Sequence, residues 1–172
     1  IGPMFSGFPE GLLASYDVVG HFHGKRSPHV ESAIGETWRN FLWEHLVGGE
    51  FTMLDQIVEA FAENKALGLV FAEDPHLNDW DANREFADDL AARMGWPIPL
   101  PNHFDFPQGT MFWARPAVLK PIMDLGLTWD DYPAEPLPID GTMLHTLERL
   151  LPFCAAHTGY NYATTYLRNH RR

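Results

Sequence analysis

The sequence predicts an α/β domain in which helices cover both faces of a mostly parallel sheet, giving three layers. Segments with strand-like and helix-like patterns alternate along the 172 residues, as is typical of this class. Residues 67–72 are apolar throughout, as expected of a strand that is buried on both faces. Because no repeat or compositional break divides the chain, residues 1–172 are predicted to form a single domain.

Strands are predicted where β-branched and aromatic residues are bounded by turn-forming ones, at residues 16–22, 67–72, 109–115 and 160–165. Helices are predicted from apolar residues at helical spacing and from Gly or Pro at their ends, at residues 35–47, 51–62, 81–94, 116–125 and 140–157. Ligands of parallel α/β sheets bind at the carboxyl ends of the strands. Three polar clusters, at residues 21–27, 105–109 and 135–140, are therefore expected to meet there.

Composition excludes several classes of protein. A formal net charge of −11 argues against nucleic acid as a partner, since binding to a phosphate backbone requires basic patches. A single cysteine, Cys154, excludes an internal disulfide framework, and its apolar helical surroundings predict a buried free thiol. No apolar run approaches the ~20 residues that span a bilayer.

The first polar cluster combines two histidines with basic residues. His21 and His23 alternate along a predicted strand and so point to the same face. Lys25, Arg26 and Ser27 follow on a glycine-loosened loop, where the two cations could hold a diphosphate. All five residues, the two histidines included, are predicted to bind substrate. A solvated loop that binds nothing is an equal alternative on composition alone.

A metal site is a further alternative for the same histidines. His-x-His is a common element of transition-metal sites, and His103 and Asp105 offer a second pair of ligands. With His21 and His23 they would support a metal-dependent hydrolase. The metal stays undefined, because no further ligand follows at a fixed spacing.

The second cluster precedes and enters a predicted strand. Gly109 allows the backbone to approach a ligand closely, and Gly109 and Thr110 are predicted to bind substrate. Met111 and Trp113 share one face of this strand, and Thr110 and Phe112 share the other. Trp113 is a candidate platform for a sugar ring or a base, with a core position as the alternative.

The third cluster supplies carboxylates. Asp140 and Glu135 are the candidate general bases, because activation of a sugar hydroxyl requires a group that accepts its proton. Asp140 could instead cap the following helix. His145 and Glu148 fall at helical spacing and are interpreted as a surface pair.

Taken in order, these segments resemble the rhamnan synthesis protein F family. The resemblance rests on residues 1–3, 16–19, 21–27, 38–39, 109–115, 140–142, 145 and 148–149. The Gly-Thr-Met-Phe-Trp and Asp-Gly-Thr blocks are the most specific. The resemblance covers nearly the whole chain, and it implies that the chain begins inside the family's domain, after an N-terminal nucleotide-binding portion.

The resemblance implies a GT-A-like fold and transfer of a sugar, namely rhamnose from dTDP-rhamnose, to a growing cell-surface polysaccharide. The partners implied are a sugar nucleotide and a glycan acceptor, in the cytoplasm at the inner face of the membrane, beside the glycan assembly machinery. GT-A enzymes usually hold Mg or Mn through an Asp-x-Asp motif, and His21-Phe22-His23 stands in its place here, which leaves the metal open. A glycan-binding module without catalytic activity is a third alternative.

Overall fold

The computed structural model describes residues 1–9, 11–24 and 32–168, the side chains of residues 32–34 excepted. Lys25 and Arg26, predicted to hold a diphosphate, and Ser27, predicted to bind substrate, lie outside the described residues. The cysteine prediction is confirmed, because Cys154 is a buried free thiol. None of the helices described has both the length and the apolar character that are needed to cross a membrane.

A mixed sheet forms the centre of the described structure. Its strands are β1 (Val19–His21), β2 (Leu67–Ala72), β3 (Phe112–Ala114) and β4 (Asn161–Thr165), in the order β1-β3-β2-β4. β3 is antiparallel to both β1 and β2, whereas β2 and β4 are parallel. The α/β class is confirmed, and the sheet is mixed: β1, β2 and β4 run in one direction, and β3 lies antiparallel between β1 and β2. The segment before β3 reverses the direction of the chain, and apolar periodicity carries no information about strand direction.

Five of the six helices described agree with the predicted positions to within a few residues, and the first was not predicted. They are α1 (Gly2–Ser6), α2 (Ser32–Leu46), α3 (Met53–Glu63), α4 (Arg84–Arg93), α5 (Pro116–Met123) and α6 (Met143–His157). Short 3-10 turns occupy Leu13–Ser15, Asp81–Asn83, Gln108–Thr110 and Trp129–Asp131. α5 starts with Pro116, where the missing N–H leaves no intrahelical hydrogen bond unmade.

Two apolar cores lie on opposite faces of the sheet. Leu69 and Phe71 of β2 belong to the core that is shared with α4, α5 and α6. Val70 and Ala72 belong to the core that is shared with α2 and α3. Neighbouring residues of a strand point to opposite faces, so helices cover both sides of the sheet. Burial of each large apolar side chain contributes about 1.5 to 3 kcal/mol.

The sheet brings the first and second polar clusters to one edge. Phe112 at the start of β3 lies opposite His21 at the end of β1 and opposite Phe71 near the end of β2. The antiparallel pairing thus places the turn before β3 beside the carboxyl ends of β1 and β2. The Gln108 amide spans this edge and donates to the carbonyl oxygens of Asp74 and Leu77 at 2.5 and 2.8 Å.

Candidate functional site

A strained turn before β3 forms the centre of the site. Gly109 and Thr110 both have left-handed backbone conformations, with φ of 76° and 56°. The conformation is uncommon for a β-branched residue such as Thr, and it persists only where surrounding contacts hold it. His21 Nδ1 donates to the Thr110 carbonyl oxygen at 2.5 Å, and His23 Nε2 donates to that of Gly109 at 2.6 Å. Two histidines of the β1 end therefore hold both carbonyl groups of the turn.

Glu148 of α6 holds the same turn from the other side. Its carboxylate accepts a hydrogen bond from the Thr110 hydroxyl. Burial raises the pKa of Glu148 to about 7, against the opposing effects of the Thr110 hydrogen bond and the Arg149 charge. Both protonation states are therefore populated near neutral pH. A carboxyl group with this pKa is suited to proton transfer. The side chain of Glu148 is half-buried, so part of its surface is in contact with solvent.

Arg149 is a buried cation beside these groups, with 3% of its surface exposed. Nε donates to the Asp79 carbonyl oxygen at 3.1 Å, and Nη2 donates to Asp81 Oδ2 at 3.3 Å. Nη1 lies 3.5 Å from Asp140 Oδ1, and the guanidinium carbon lies 4.7 Å from the centre of the Phe106 ring. A buried charge requires such partners, because its desolvation is otherwise costly.

Asp140 is fixed in position and ionised. Its carboxylate accepts from Asn83 Nδ2 at 2.8 Å and from the Ala82 N–H at 3.3 Å. Burial opposes ionisation, but the hydrogen bond from Asn83 and the charge of Arg149 outweigh it and lower the pKa of Asp140. The alternative role of helix cap is wrong, because Thr142 caps α6 and accepts from the His145 N–H at 3.5 Å.

The interpretation of His145 and Glu148 as a surface pair is also wrong. Both residues are half-buried. His145 Nδ1 bonds the Thr142 hydroxyl at 2.8 Å and lies 4.0 Å from Asp140 Oδ1, whereas Glu148 bonds Thr110. α6 therefore directs two titratable side chains to two different parts of the site.

Two predicted residues lie apart from this arrangement. Glu135 is exposed in the loop before α6, where its carboxylate accepts from the Leu137 N–H at 3.3 Å. Trp113 lies on the α2 and α3 side of the sheet, and its indole N–H donates to the Leu46 carbonyl oxygen at 2.8 Å. The sheet separates its ring from Phe112, which packs in the core on the other side.

Within residues 1–9, 11–24 and 32–168, no three side chains of His, Cys, Asp or Glu are grouped so as to hold a metal ion. His21 and His23 each bond a backbone carbonyl, and their ring centres are 6.3 Å apart. Asp105 accepts from the Tyr162 hydroxyl at 3.4 Å. The described residues thus offer no ligand set for the metal-dependent hydrolase.

A family model described as rhamnan synthesis protein F matches residues 3–160. The chain belongs to this family. It is 33% identical over 156 residues to the uncharacterized protein WxcX of Xanthomonas campestris pv. campestris strain B100, and equally so to that of strain ATCC 33913. These alignments cover 89% of the chain but only 22% of either relative. No solved structure matches the chain.

In this member of the rhamnan synthesis protein F family, the sequence did carry a signal for the residues that periodicity misassigned. Glu148 lies four residues after Leu144 and three before Leu151, inside the apolar stripe of α6. A carboxylate at such a position has to find a partner within the protein. Nothing in the chain order, however, indicated that its partner would be Thr110.

Substitution of Gly109 by alanine is expected to destabilise this family member by about 2 kcal/mol. The left-handed backbone penalises an L residue, and the new Cβ would lie 2.8 Å from Leu42 Cδ1. Gly95→Ala is the matched control, because Gly95 has a similar φ of 73° with nothing within 4 Å. It should cost about 1 kcal/mol. Equal losses in urea unfolding of the two variants would show that the turn is not closely packed.

Proposed function

We propose that this chain is part of a glycosyltransferase that moves a sugar, rhamnose from dTDP-rhamnose, onto a growing cell-surface polysaccharide. Membership of the rhamnan synthesis protein F family supports a role in polysaccharide synthesis. The observation that carries the proposal is the arrangement of Asp140 and Glu148. The pKa of Asp140 is lowered and that of Glu148 is raised, the charge of the buried Arg149 acts on both groups, and Glu148 bonds Thr110 of the turn that His21 holds.

In the proposed reaction, the acceptor hydroxyl oxygen forms a bond to the anomeric carbon while the bond from that carbon to the diphosphate oxygen breaks. Asp140 accepts the proton of the hydroxyl, since it is ionised and its side chain is 27% exposed. Asn83 and Arg149 fix the orientation of the carboxylate. Lys25 and Arg26 are proposed to neutralise the charge on the departing dTDP.

Support for a GT-A-like architecture comes from the order of elements in the C-terminal half. β3, α5, an acidic loop over residues 128–139, α6 and β4 follow one another, with Asp140 just before α6. Among the described residues, no three side chains of His, Cys, Asp or Glu are grouped to hold Mg or Mn. The proposed location is the cytoplasmic face of the membrane, beside the glycan assembly machinery.

Replacement of Asp140 by asparagine is expected to reduce rhamnose transfer at least about 100-fold, because the amide cannot accept the proton. Asparagine has nearly the same shape and retains an oxygen for Asn83, so the unfolding free energy should fall by only about 1 kcal/mol. Transfer is measured with radiolabelled dTDP-rhamnose and a membrane glycan fraction. Asp124→Asn, which alters an exposed pair with Lys120, is the control and should transfer normally.

Unchanged transfer by the Asp140→Asn variant would remove Asp140 as the base. A thermal-shift comparison of dTDP, UDP and GDP tests the donor separately. A ligand at ~100 times its dissociation constant adds about 2.7 kcal/mol to stability. With the N-terminal nucleotide-binding portion present, binding of the glycan fraction without binding of any nucleotide would overturn the transferase and favour a glycan-binding module.

A further inference from the structure

The contact between His21 and Thr110 fixes which nitrogen of the imidazole carries a hydrogen. A carbonyl oxygen can only accept a hydrogen bond, so His21 Nδ1, 2.5 Å from the Thr110 carbonyl oxygen, must be the N–H. In a neutral imidazole the other nitrogen, Nε2, then has a lone pair and no hydrogen. His21 therefore presents Nε2 as an acceptor.

The surroundings keep this imidazole neutral. The ring is half-buried and stacks on Phe112 with their centres 5.5 Å apart. Burial lowers the pKa of His21 to about 4, and the hydrogen bond to Thr110 only partly offsets it. The nearby His23 acts in the same direction as burial. At neutral pH the second nitrogen consequently remains without a proton.

Nε2 of His21 reaches the protein surface without a hydrogen-bond partner among the described residues. No side chain or backbone group in the described ranges donates to it, and it is not among the buried polar atoms that lack a partner. The Thr110 hydroxyl is also an acceptor without a free hydrogen. It donates its only hydrogen to Glu148 and keeps its lone pairs. Two neighbouring polar groups thus direct their hydrogens inward, against the protein.

We propose that His21 Nε2 accepts a hydrogen bond from a hydroxyl group of a sugar, so that this subsite selects the sugar and not the phosphates of the substrate. Phosphate oxygens are acceptors, and an acceptor such as Nε2 gives them nothing to bond. A sugar hydroxyl has a hydrogen to donate. The identification of that sugar as part of a transferase substrate rests on the proposed function, whereas the selection of a hydroxyl donor rests on His21 and Thr110.

A pair of variants separates the acceptor role from the structural role. In His21→Asn, the side-chain amide N–H takes the place of Nδ1–H and can still donate to the Thr110 carbonyl oxygen, while Nε2 is lost. His21→Ala removes both atoms. His21→Asn is expected to bind dTDP-rhamnose roughly 10-fold more weakly than the unmodified protein and to bind dTDP equally well. Equal weakening for both ligands would overturn the proposal.

Nitrogen NMR of the chain labelled at its histidines provides a readout independent of turnover. The spectrum should show His21 protonated at Nδ1 and bare at Nε2 from pH 6 to 8, and the Nε2 resonance should move when a sugar hydroxyl binds. dTDP-rhamnose and the glycan fraction are added in separate arms, which tells a donor sugar from an acceptor sugar. A hydrogen on Nε2 at neutral pH would overturn the proposal.

Failure of the proposed function remains distinguishable from failure of this inference. If no nucleotide sugar binds even with the N-terminal nucleotide-binding portion present, the transferase is overturned, and the Nε2 resonance is then followed with free L-rhamnose and with the glycan fraction. Movement in either arm supports the hydroxyl subsite. If neither addition moves the resonance, the subsite is overturned as well.

Discussion

Substitution of Arg149 by alanine is expected to lower the free energy of unfolding by about 3 to 5 kcal/mol. The change removes a buried cation that contacts Asp140, Asp81 and the Asp79 backbone. It leaves the carboxylates without their shared counter-charge, and it leaves a void over the Phe106 ring. For a domain of this size the thermal midpoint should fall by roughly 6 to 20 °C, measured by circular dichroism.

Lys120→Ala is the matched control for the loss of one positive charge. Lys120 forms an exposed pair with Asp124 one helical turn away, and such pairs contribute less than about 1 kcal/mol. An Arg149→Ala variant as stable as the Lys120→Ala variant would show that Arg149 does not hold the site together. If Arg149→Ala loses much of the unfolding free energy and Arg149→Lys retains most of it, the positive charge, rather than the planar guanidinium, makes the dominant contribution to stability.

The ionisation of Glu148 is expected to make the protein less stable as the pH rises. The pKa is about 7 in the folded protein and 4.5 in the unfolded chain. Stability contributed by the neutral carboxyl is fully present below pH 4.5 and is lost as the pH rises through 7. The loss amounts to about 3 kcal/mol, at about 1.4 kcal/mol for each pKa unit.

Glu148→Gln should remove this pH dependence, because the amide does not ionise and can still accept a hydrogen bond from Thr110. The unfolding free energy of the variant, relative to the unmodified protein, should rise by about 3 kcal/mol between pH 4.5 and 8. Chemical denaturation across this range measures it. Glu85→Gln, on the exposed side of α4, controls for loss of a carboxylate. If the unfolding free energies of Glu148→Gln and Glu85→Gln change with pH in the same way, the elevated pKa of Glu148 is contradicted.

Local patterns predicted most of the secondary structure. The apolar run at residues 67–72 is β2 from its first residue to its last, because a strand buried on both faces is marked by composition alone. The strand predicted over residues 16–22 is shorter, and only Val19–His21 pair with β3. Edge strands end where their partner ends, and the partner lies far away in the sequence.

The site could be predicted in part, since His21, His23, Gly109 and Thr110 were selected as binding residues and lie in contact. His21 and His23 bond the carbonyl groups of Thr110 and Gly109. Both turn residues have a left-handed backbone, which glycine adopts readily and threonine adopts only when other contacts hold it. The role of Glu148 could not be predicted. Helical spacing indicates which residues are neighbours within α6, but it carries no information about the contact with Thr110 in the turn before β3. Asp140 is the predicted base, and the cap that was its alternative role is provided by Thr142.

The pairing of β1 with β3 has a consequence for synthesis of the chain. His21 of β1 can pair with Phe112 of β3 only after about ninety further residues have been synthesised. At a ribosomal rate of 5–20 residues per second, β1 remains unpaired for roughly 5 to 20 s, with Phe22 lacking the Trp113 ring that covers it in the fold. Closure of this long loop, and not formation of α2 or α3, is expected to limit the folding rate. The histidine side of the site is therefore assembled late, and a nascent chain arrested before residue 112 should expose β1 to chaperones.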